Sequence, residues 1–222
     1  MRLWQMRSKR SHLKTNLISQ IMITAKNIQT FDSIFSEMKM HGMKLPNDRV
    51  YFNISNSRDL LYSGLKYFIG KENKEVVWLP EYEKVSEWLS DNKGRGLFLY
   101  GTCGQGKSIL CRYVIPALLL RYAEKVVSVF DIQDMNKDVD LVLSKHILAL
   151  DDIGTEELSV KYGERRMAFA EIMDAAEKQG KLVLVSTNLN EKELRDRYGD
   201  RILDRIKSTT IRVLFTGKSL RK

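Results

Sequence analysis

Apolar and polar residues follow one another along most of the chain in a pattern that predicts alternating strands and helices. Apolar runs rich in branched side chains, bounded by glycine or polar residues, are typical of buried strands. Such runs occupy 96–100, 126–130, 146–150, 181–186 and 209–215. Apolar residues spaced three and four apart predict helices over 79–94, 107–123, 163–180 and 191–198. This alternation favours an α/β fold, in which helices cover both faces of a parallel sheet.

Single residues mark where some of these helices bend, begin or stop. Pro116 lies inside the helix at 107–123 and predicts a kink, since proline cannot donate the helical hydrogen bond. Asn190 and Glu193 have the spacing of a capping box, which predicts that a helix opens at residue 191. Gly199 separates that helix from a second short one.

The beginning of the chain carries weaker helical patterns and more polar breaks. We expect a small, mainly helical region over 1–75, followed by the α/β domain over 76–222. Residues 1–50 hold nine Lys or Arg against three Asp or Glu, in a chain of net charge +9. Such a basic region favours a polyanion or an acidic protein as its partner, and a solvated basic tail is the plain alternative.

Cysteine and histidine are too few and too scattered for a structural metal site or a disulfide framework. The chain has two cysteines and three histidines, and no Cys-x-x-Cys pair. This usage is typical of a reducing compartment, so we expect a cytoplasmic protein. No apolar run approaches the length of a membrane span, and we expect no membrane partner.

A glycine-rich turn joins the strand at 96–100 to the helix at 107–123 and matches the phosphate-binding pattern G-x-x-x-x-G-K-[ST]. Glycines let the backbone turn tightly so that several N–H groups face an anion, and the following helix adds its positive end. In this pattern the lysine reaches the outer phosphates and the serine hydroxyl binds Mg²⁺. We therefore expect ATP and Mg²⁺, with Ser108 on the metal and the nucleotide held by Gly101, Thr102, Cys103, Gly104, Gln105, Gly106, Lys107, Ser108 and Ile109.

Two acids, Asp151 and Asp152, directly follow the apolar strand at 146–150. A parallel strand delivers such residues to the carboxyl edge of the sheet, where the phosphate-binding turn also opens. We expect Asp151 to hold Mg²⁺, directly or through water, and Asp152 to orient or polarise the attacking water. Two solvated loop acids are the alternative.

The predicted strand at 181–186 ends in a polar run of Ser186, Thr187 and Asn188. In a sheet with a phosphate-binding turn this strand can lie between the strand before the turn and the acidic strand. A polar side chain at its end could then touch the terminal phosphate or its water. The same three residues are also ordinary turn formers, so the signal alone is unspecific.

Arg201 and Arg205 are four residues apart and therefore share one face of a helix. They can form a solvated basic face with Asp200 and Asp204 as partners. Alternatively, one of them reaches a nucleotide, because a guanidinium group placed on a transferring phosphoryl group stabilises its developing charge.

The segments that carry these residues resemble the AAA+ ATPases of the DnaC/DnaI helicase-loader type, and the IstB transposition helpers share much of the pattern. The resemblance covers about 76–222 and rests on GLFLYGTCGQGKS, ILALDDIGTEELS, LVLVSTNLNEKELRDRYGDRILDRI and IRVLFTGKSLR. It implies a P-loop NTPase (AAA+) fold, with a parallel sheet flanked by helices and no C-terminal lid domain.

By position, the resemblance makes Lys107 and Ser108 Walker A residues and makes Asp151 and Asp152 the Walker B pair. Asn188 then matches sensor 1. Arg201 and Arg205 match the box that supplies the arginine finger, and Arg205 is the better candidate for acting in trans.

The resemblance also implies a loader that delivers a replicative helicase to DNA, with slow ATP hydrolysis at the interfaces of a homo-oligomer. Its basic N-terminal region would grip the helicase. Loaders usually carry a helical insertion that contacts single-stranded DNA; here only 131–145 intervenes, so we expect weak, sequence-independent binding to single strands.

Three other functions stay open at this point. An IstB-like helper that serves a transposase would use the same ATPase residues. A small-molecule kinase would need an arginine-rich lid, and we find no segment of that kind in the sequence. A nucleotide-binding scaffold with negligible turnover is compatible with Asp152, whose side chain is one methylene shorter than the glutamate of many AAA+ ATPases.

Overall fold

The computed structural model describes residues 30–71, 75–154, 159–161 and 164–220. The chain divides into two compact units, Met1–Pro46 and Asn47–Lys222. In the first unit the described part contains one helix, α1 (Phe31–Met40), and none of its residues is buried. The remainder of the predicted basic region, up to residue 29, lies outside the described residues.

The second unit begins at Asn47, whereas the sequence pattern predicts that the α/β domain begins at residue 76. Helix α2 (Ser57–Gly70) buries Leu61 and Leu65 in the same apolar cluster as Trp88 and Leu97. The weak apolar stripe of α2 therefore belongs to the core of the α/β unit, because its partner side chains lie on elements far along the sequence.

The strands of the second unit are β1 (Gly96–Gly101), β2 (Ser128–Asp131), β3 (Ile147–Ile153), β4 (Ser159–Lys161), β5 (Glu164–Arg166), β6 (Leu182–Thr187) and β7 (Thr210–Phe215). Five of them form a parallel sheet in the order β2-β3-β6-β1-β7. Strands β4 and β5 form a separate antiparallel pair. The predicted parallel α/β sheet is thereby confirmed.

Each face of the parallel sheet has its own apolar core, because successive strand residues point to opposite sides. In β1, Leu97 and Leu99 pack into one core and Phe98 packs into the other. The first face is covered by α2, α3 (Pro80–Ser90) and a helical run of α4 (Lys107–Ile109), a π-helical segment (Leu110–Val114) and α5 (Ile115–Ala123). The second is covered by α6 (Ile132–Lys137), α7 (Val139–Ser144), α8 (Ala168–Gln179) and α9 (Glu191–Thr209).

The helical run after β1 contains a π turn where the sequence predicts a proline kink. Pro116 lies in the first turn of α5, directly after the π-helical segment. Proline has no N–H to donate and its ring crowds the carbonyl four residues earlier, so the regular α-helical bonding cannot pass through this position. The wider π turn absorbs that interruption.

The helix predicted over 163–180 is shorter in the structure. Residues Glu164–Arg166 form β5, and α8 begins at Ala168. The helical spacing of apolar side chains starts only at Phe169, so the preceding charged residues carried no helical signal of their own.

The short segment at 131–145 forms the helices α6 and α7. Asp131 and Asp138 accept hydrogen bonds from backbone N–H groups at the starts of these two helices and so cap them. Met135, Val139 and Val142 are buried in the second core. The segment is therefore an integral part of the α/β unit.

The capping box predicted at Asn190 and Glu193 is present, with both reciprocal hydrogen bonds. Gly199 interrupts α9 with a non-helical backbone, as its place in the sequence predicts. Within the described ranges, no helix combines the length and apolarity that crossing a bilayer requires.

Candidate nucleotide-binding site

Three neighbouring strands bring the glycine-rich turn, the two acids and Asn188 to one edge of the sheet, whereas Arg201 and Arg205 lie on α9. Strand β6 lies between β1, which leads into the glycine-rich turn, and β3, whose last three residues are Asp151, Asp152 and Ile153. Leu99 of β1 pairs with Ser186, and Ile153 of β3 pairs with Thr187. The predicted placement of the polar strand between the other two is correct.

The glycine-rich turn is packed closely against the end of β7. Gly101 has a φ of +105°, and a Cβ atom there would lie 2.3 Å from the carbonyl oxygen of Phe215. The Thr102 N–H donates to that same carbonyl at 2.9 Å. Only glycine meets both the backbone conformation and the space at position 101.

Lys107 is held inside the turn rather than extended into solvent. Its side chain is buried, and Nζ donates to the carbonyl oxygens of Gly101 at 2.9 Å and Thr102 at 2.7 Å. An ammonium group in this place adds a positive charge to the concave side of the turn, where a phosphate would lie.

Tyr82 of α3 contacts the glycine-rich turn through a hydrogen bond. Its hydroxyl donates to the Gln105 carbonyl oxygen at 2.9 Å, and the ring lies against Phe215. Burial, and then the nearby charge of Glu81, raise the pKa of Tyr82 to about 12, so the hydroxyl stays a proton donor. The residue is part of the core.

Strand β3 extends beyond the predicted 146–150 and includes both acids, which have different surroundings. Asp151 is buried, its Oδ1 accepts a hydrogen bond from the Ser186 hydroxyl, and its Oδ2 lies 3.5 Å from NH1 of Arg112. Asp152 is exposed, and its Oδ1 accepts from the side-chain amide of Asn188 at 2.8 Å. The structure thus joins the predicted water-polarising acid to the predicted sensor residue.

Ser186 ties the two acids together. Its hydroxyl donates to Asp151 and accepts from the backbone N–H of Asp152 at 3.1 Å. Asp152 itself has a φ of +60°, a left-handed backbone conformation that is uncommon outside glycine but that Asp adopts more often than most residues. The sequence marked Ser186 only as a possible phosphate contact, whereas the structure makes it the link between the acids.

The donor set suits magnesium. Within the described residues, no group of three or more His, Cys, Asp or Glu side chains could hold a metal ion. Magnesium in nucleotide sites needs only one or two carboxylates together with phosphate and water oxygens. The Asp151 carboxylate and the Ser108 hydroxyl would supply the protein oxygens.

Arg201 and Arg205 of α9 share one carboxylate of α8, that of Asp174. Arg201 NH2 lies 2.7 Å from Asp174, and Arg205 binds Asp174 through Nε and Glu177 through NH1 at 3.1 Å. The Arg201 side chain is 67% exposed, whereas that of Arg205 is 16% exposed. The carboxylates on α8 are partners that sequence spacing along α9 alone did not indicate.

The alternative prediction pairs Asp200 and Asp204 with Arg201 and Arg205. For Asp200 this is wrong. Asp200 accepts instead from Arg195 at 2.9 Å.

The contact between Arg112 and Asp151 was not predicted from the sequence. The position of Arg112 four residues after Ser108 could have indicated that it lies on the same side of the helix.

Ser186→Ala should weaken Mg²⁺-dependent nucleotide binding about tenfold, because it removes a hydrogen bond to a charged carboxylate that contributes about 1.5–3 kcal/mol. The measurement is a binding titration with and without Mg²⁺. The control Ser90→Ala also removes a serine hydroxyl, one that donates to the Glu87 carbonyl oxygen outside the site. It should leave nucleotide binding and its magnesium dependence unchanged. Unaltered magnesium dependence in a folded Ser186→Ala protein would contradict the linking role.

A family model described as Nephrocystin 3, N-terminal, matches residues 75–149. This range includes the glycine-rich turn and stops before Asp151. No curated protein matches the chain.

Several solved structures are similar to this chain. A DnaI crystal structure is 22% identical, with 57% of this chain and 73% of that chain covered and a TM-score of 0.44. A DnaC helicase loader is 19% identical, with 75% and 94% covered and a TM-score of 0.48. AMPPCP-bound DnaA from Aquifex aeolicus is 16% identical, with 66% and 50% covered and a TM-score of 0.48.

Proposed function

We propose that this chain is an ATP-binding AAA+ protein that hydrolyses ATP slowly and acts as a loader for a replicative helicase. The observation that carries the ATPase part is the convergence of three strand ends. Lys107 and Asn188 follow β1 and β6, Asp151 lies near the end of β3, and these three strands are neighbours in one parallel sheet. A phosphate cradle, a buried metal carboxylate and a polar residue beside the second acid are the parts that ATP hydrolysis requires.

Each of these side chains has a distinct task in the proposed reaction. Lys107 neutralises charge on the outer phosphates, and Ser108 with Asp151 would hold Mg²⁺, which supplies further charge neutralisation when bound. Asp152 orients or polarises the attacking water. Asn188 fixes the Asp152 carboxylate through their 2.8 Å hydrogen bond.

We further propose that hydrolysis occurs between subunits of a homo-oligomer. Arg205 is held by two carboxylates of its own α8. A guanidinium oriented in this way can stabilise charge on the terminal phosphate of the ATP bound to a neighbouring subunit. Arg201, which also binds the Asp174 carboxylate, is the second arginine proposed to face the neighbouring subunit.

The loader part of the proposal rests on the segments from 96 to 221 that resemble the DnaC/DnaI type, and on the basic character of residues 1–50. It is tested by immobilising the full chain with ATP and offering a purified hexameric replicative helicase and, separately, a purified transposase. We expect the helicase to be retained with ATP and much less with Lys107→Ala. Retention of the transposase alone would favour the IstB-like function, and retention of neither would contradict both.

A further inference from the structure

Arg112 lies one helical turn beyond the phosphate-binding turn and contacts the acid that we expect to bind magnesium. Its NH1 is 3.5 Å from Asp151 Oδ2. Arg112 belongs to the π-helical segment, which packs against β3 at this point, with Cys111 Sγ 3.7 Å from the Leu150 carbonyl oxygen. The helix that follows the phosphate-binding turn therefore also holds a cation beside the metal carboxylate.

Asp151 requires a positive partner in this position. Its side chain is only 6% exposed, and a buried carboxylate without a compensating charge is costly. Ser186 satisfies Oδ1, and Arg112 faces Oδ2.

The distance between Arg112 and Asp151 is long for an ion pair, so a metal ion can displace Arg112. Charge-assisted N–H···O contacts are usually about 2.7–2.9 Å, so the 3.5 Å separation indicates a weak bond. Arg112 Nε is buried without a hydrogen-bond partner among the described residues. By contrast, magnesium binds carboxylate oxygens at about 2.0–2.1 Å. A guanidinium held this loosely can neutralise the carboxylate and still give way to a metal ion.

We propose that Arg112 is a built-in counter-ion of Asp151 that competes with Mg²⁺ for this carboxylate and sets the metal concentration at which the site loads. Arg112 holds Oδ2 when magnesium is scarce and yields it when the metal binds. The inference rests on the proposed nucleotide-binding function and assigns a residue outside the phosphate-binding pattern to its regulation by metal concentration.

The first test is a magnesium titration of binding of a fluorescent, non-hydrolysable ATP analogue. In Arg112→Gln the half-saturating Mg²⁺ concentration should fall about threefold or more, because a competing positive charge is removed. Arg112→Lys keeps that charge and should stay near wild type. Arg121→Gln removes one arginine charge from α5, where the guanidinium lies against Tyr122, and should leave the titration unchanged.

The second test is thermal unfolding in EDTA without nucleotide. Arg112→Gln should lower the melting temperature, because Asp151 loses its counter-charge. Adding Asp151→Asn should recover most of that loss, since the neutral amide needs no cation. Two residues that do not interact would instead give additive losses.

The outcomes separate the inference from the proposed function. A lower magnesium requirement in Arg112→Gln, together with non-additive unfolding, supports the competition. A wild-type or higher requirement, in a protein whose wild type binds the analogue with magnesium, overturns the inference and leaves the nucleotide site intact. Failure of the wild type to bind the analogue overturns the proposed function and the inference with it.

Discussion

Arg205→Ala should nearly abolish ATP turnover by the assembled protein while a single chain still binds ATP. Guanidinium groups that act in trans contribute about 10³–10⁵ in rate, and the loss should fall in that range. Arg205 forms ion pairs with Asp174 and Glu177 of its own chain, and the proposed role requires its guanidinium to reach the nucleotide of a neighbouring subunit. The measurement compares steady-state turnover with equilibrium ATP binding in the same preparations.

A matched variant separates loss of the guanidinium from loss of its ion pairs. Glu177→Gln removes one partner of Arg205 and keeps the cation, so turnover should fall only a few-fold. Mixing Arg205→Ala with Lys107→Ala should restore some activity, because an intact turn in one chain can meet an intact Arg205 in the other. Co-assembly of the two variants without any rescue would count against action in trans.

Asp152→Asn should reduce single-turnover hydrolysis by about 10²–10⁴, the usual contribution of a general acid or base. The amide cannot accept a proton from the attacking water or polarise that water as the carboxylate does, although it can still bind Asn188. Nucleotide binding should be spared because Asp152 is exposed and Asp151 is the buried acid.

Asp151→Asn is the comparison for that experiment. It should weaken magnesium-dependent binding before it affects the chemical step, because it removes the carboxylate charge from the metal site. If both variants hydrolyse the nucleotide at the wild-type rate, the pair has no catalytic role.

Local chemistry explains why much of the sheet and of the site was predictable. Strand β6 was recognised because a continuous apolar run ends abruptly at Ser186 and Thr187, and all six of its residues are buried. The start of α9 was recognised because Asn190 and Glu193 cap the backbone through side chains three residues apart. Signals of this kind lie within one short segment.

The missed features depend on segments that are distant in sequence. Arg112 and Asp151 form a pair only because the π-helical segment packs on β3. Asp174 joins Arg201 and Arg205 only because α8 lies beside α9. Likewise, the apolar stripe of α2 becomes a core surface through distant partners such as Trp88.

Binding of ATP by wild type and by Lys107→Ala, measured by calorimetry in the presence of magnesium, tests the central claim most directly. The account predicts one ATP per wild-type chain and about a ten- to hundredfold loss of affinity in the variant, because a charge-assisted contact to phosphate is deleted. The exposed Lys84→Ala variant should bind as wild type does. Equal ATP affinity in Lys107→Ala and wild type, or no binding by either, would contradict it.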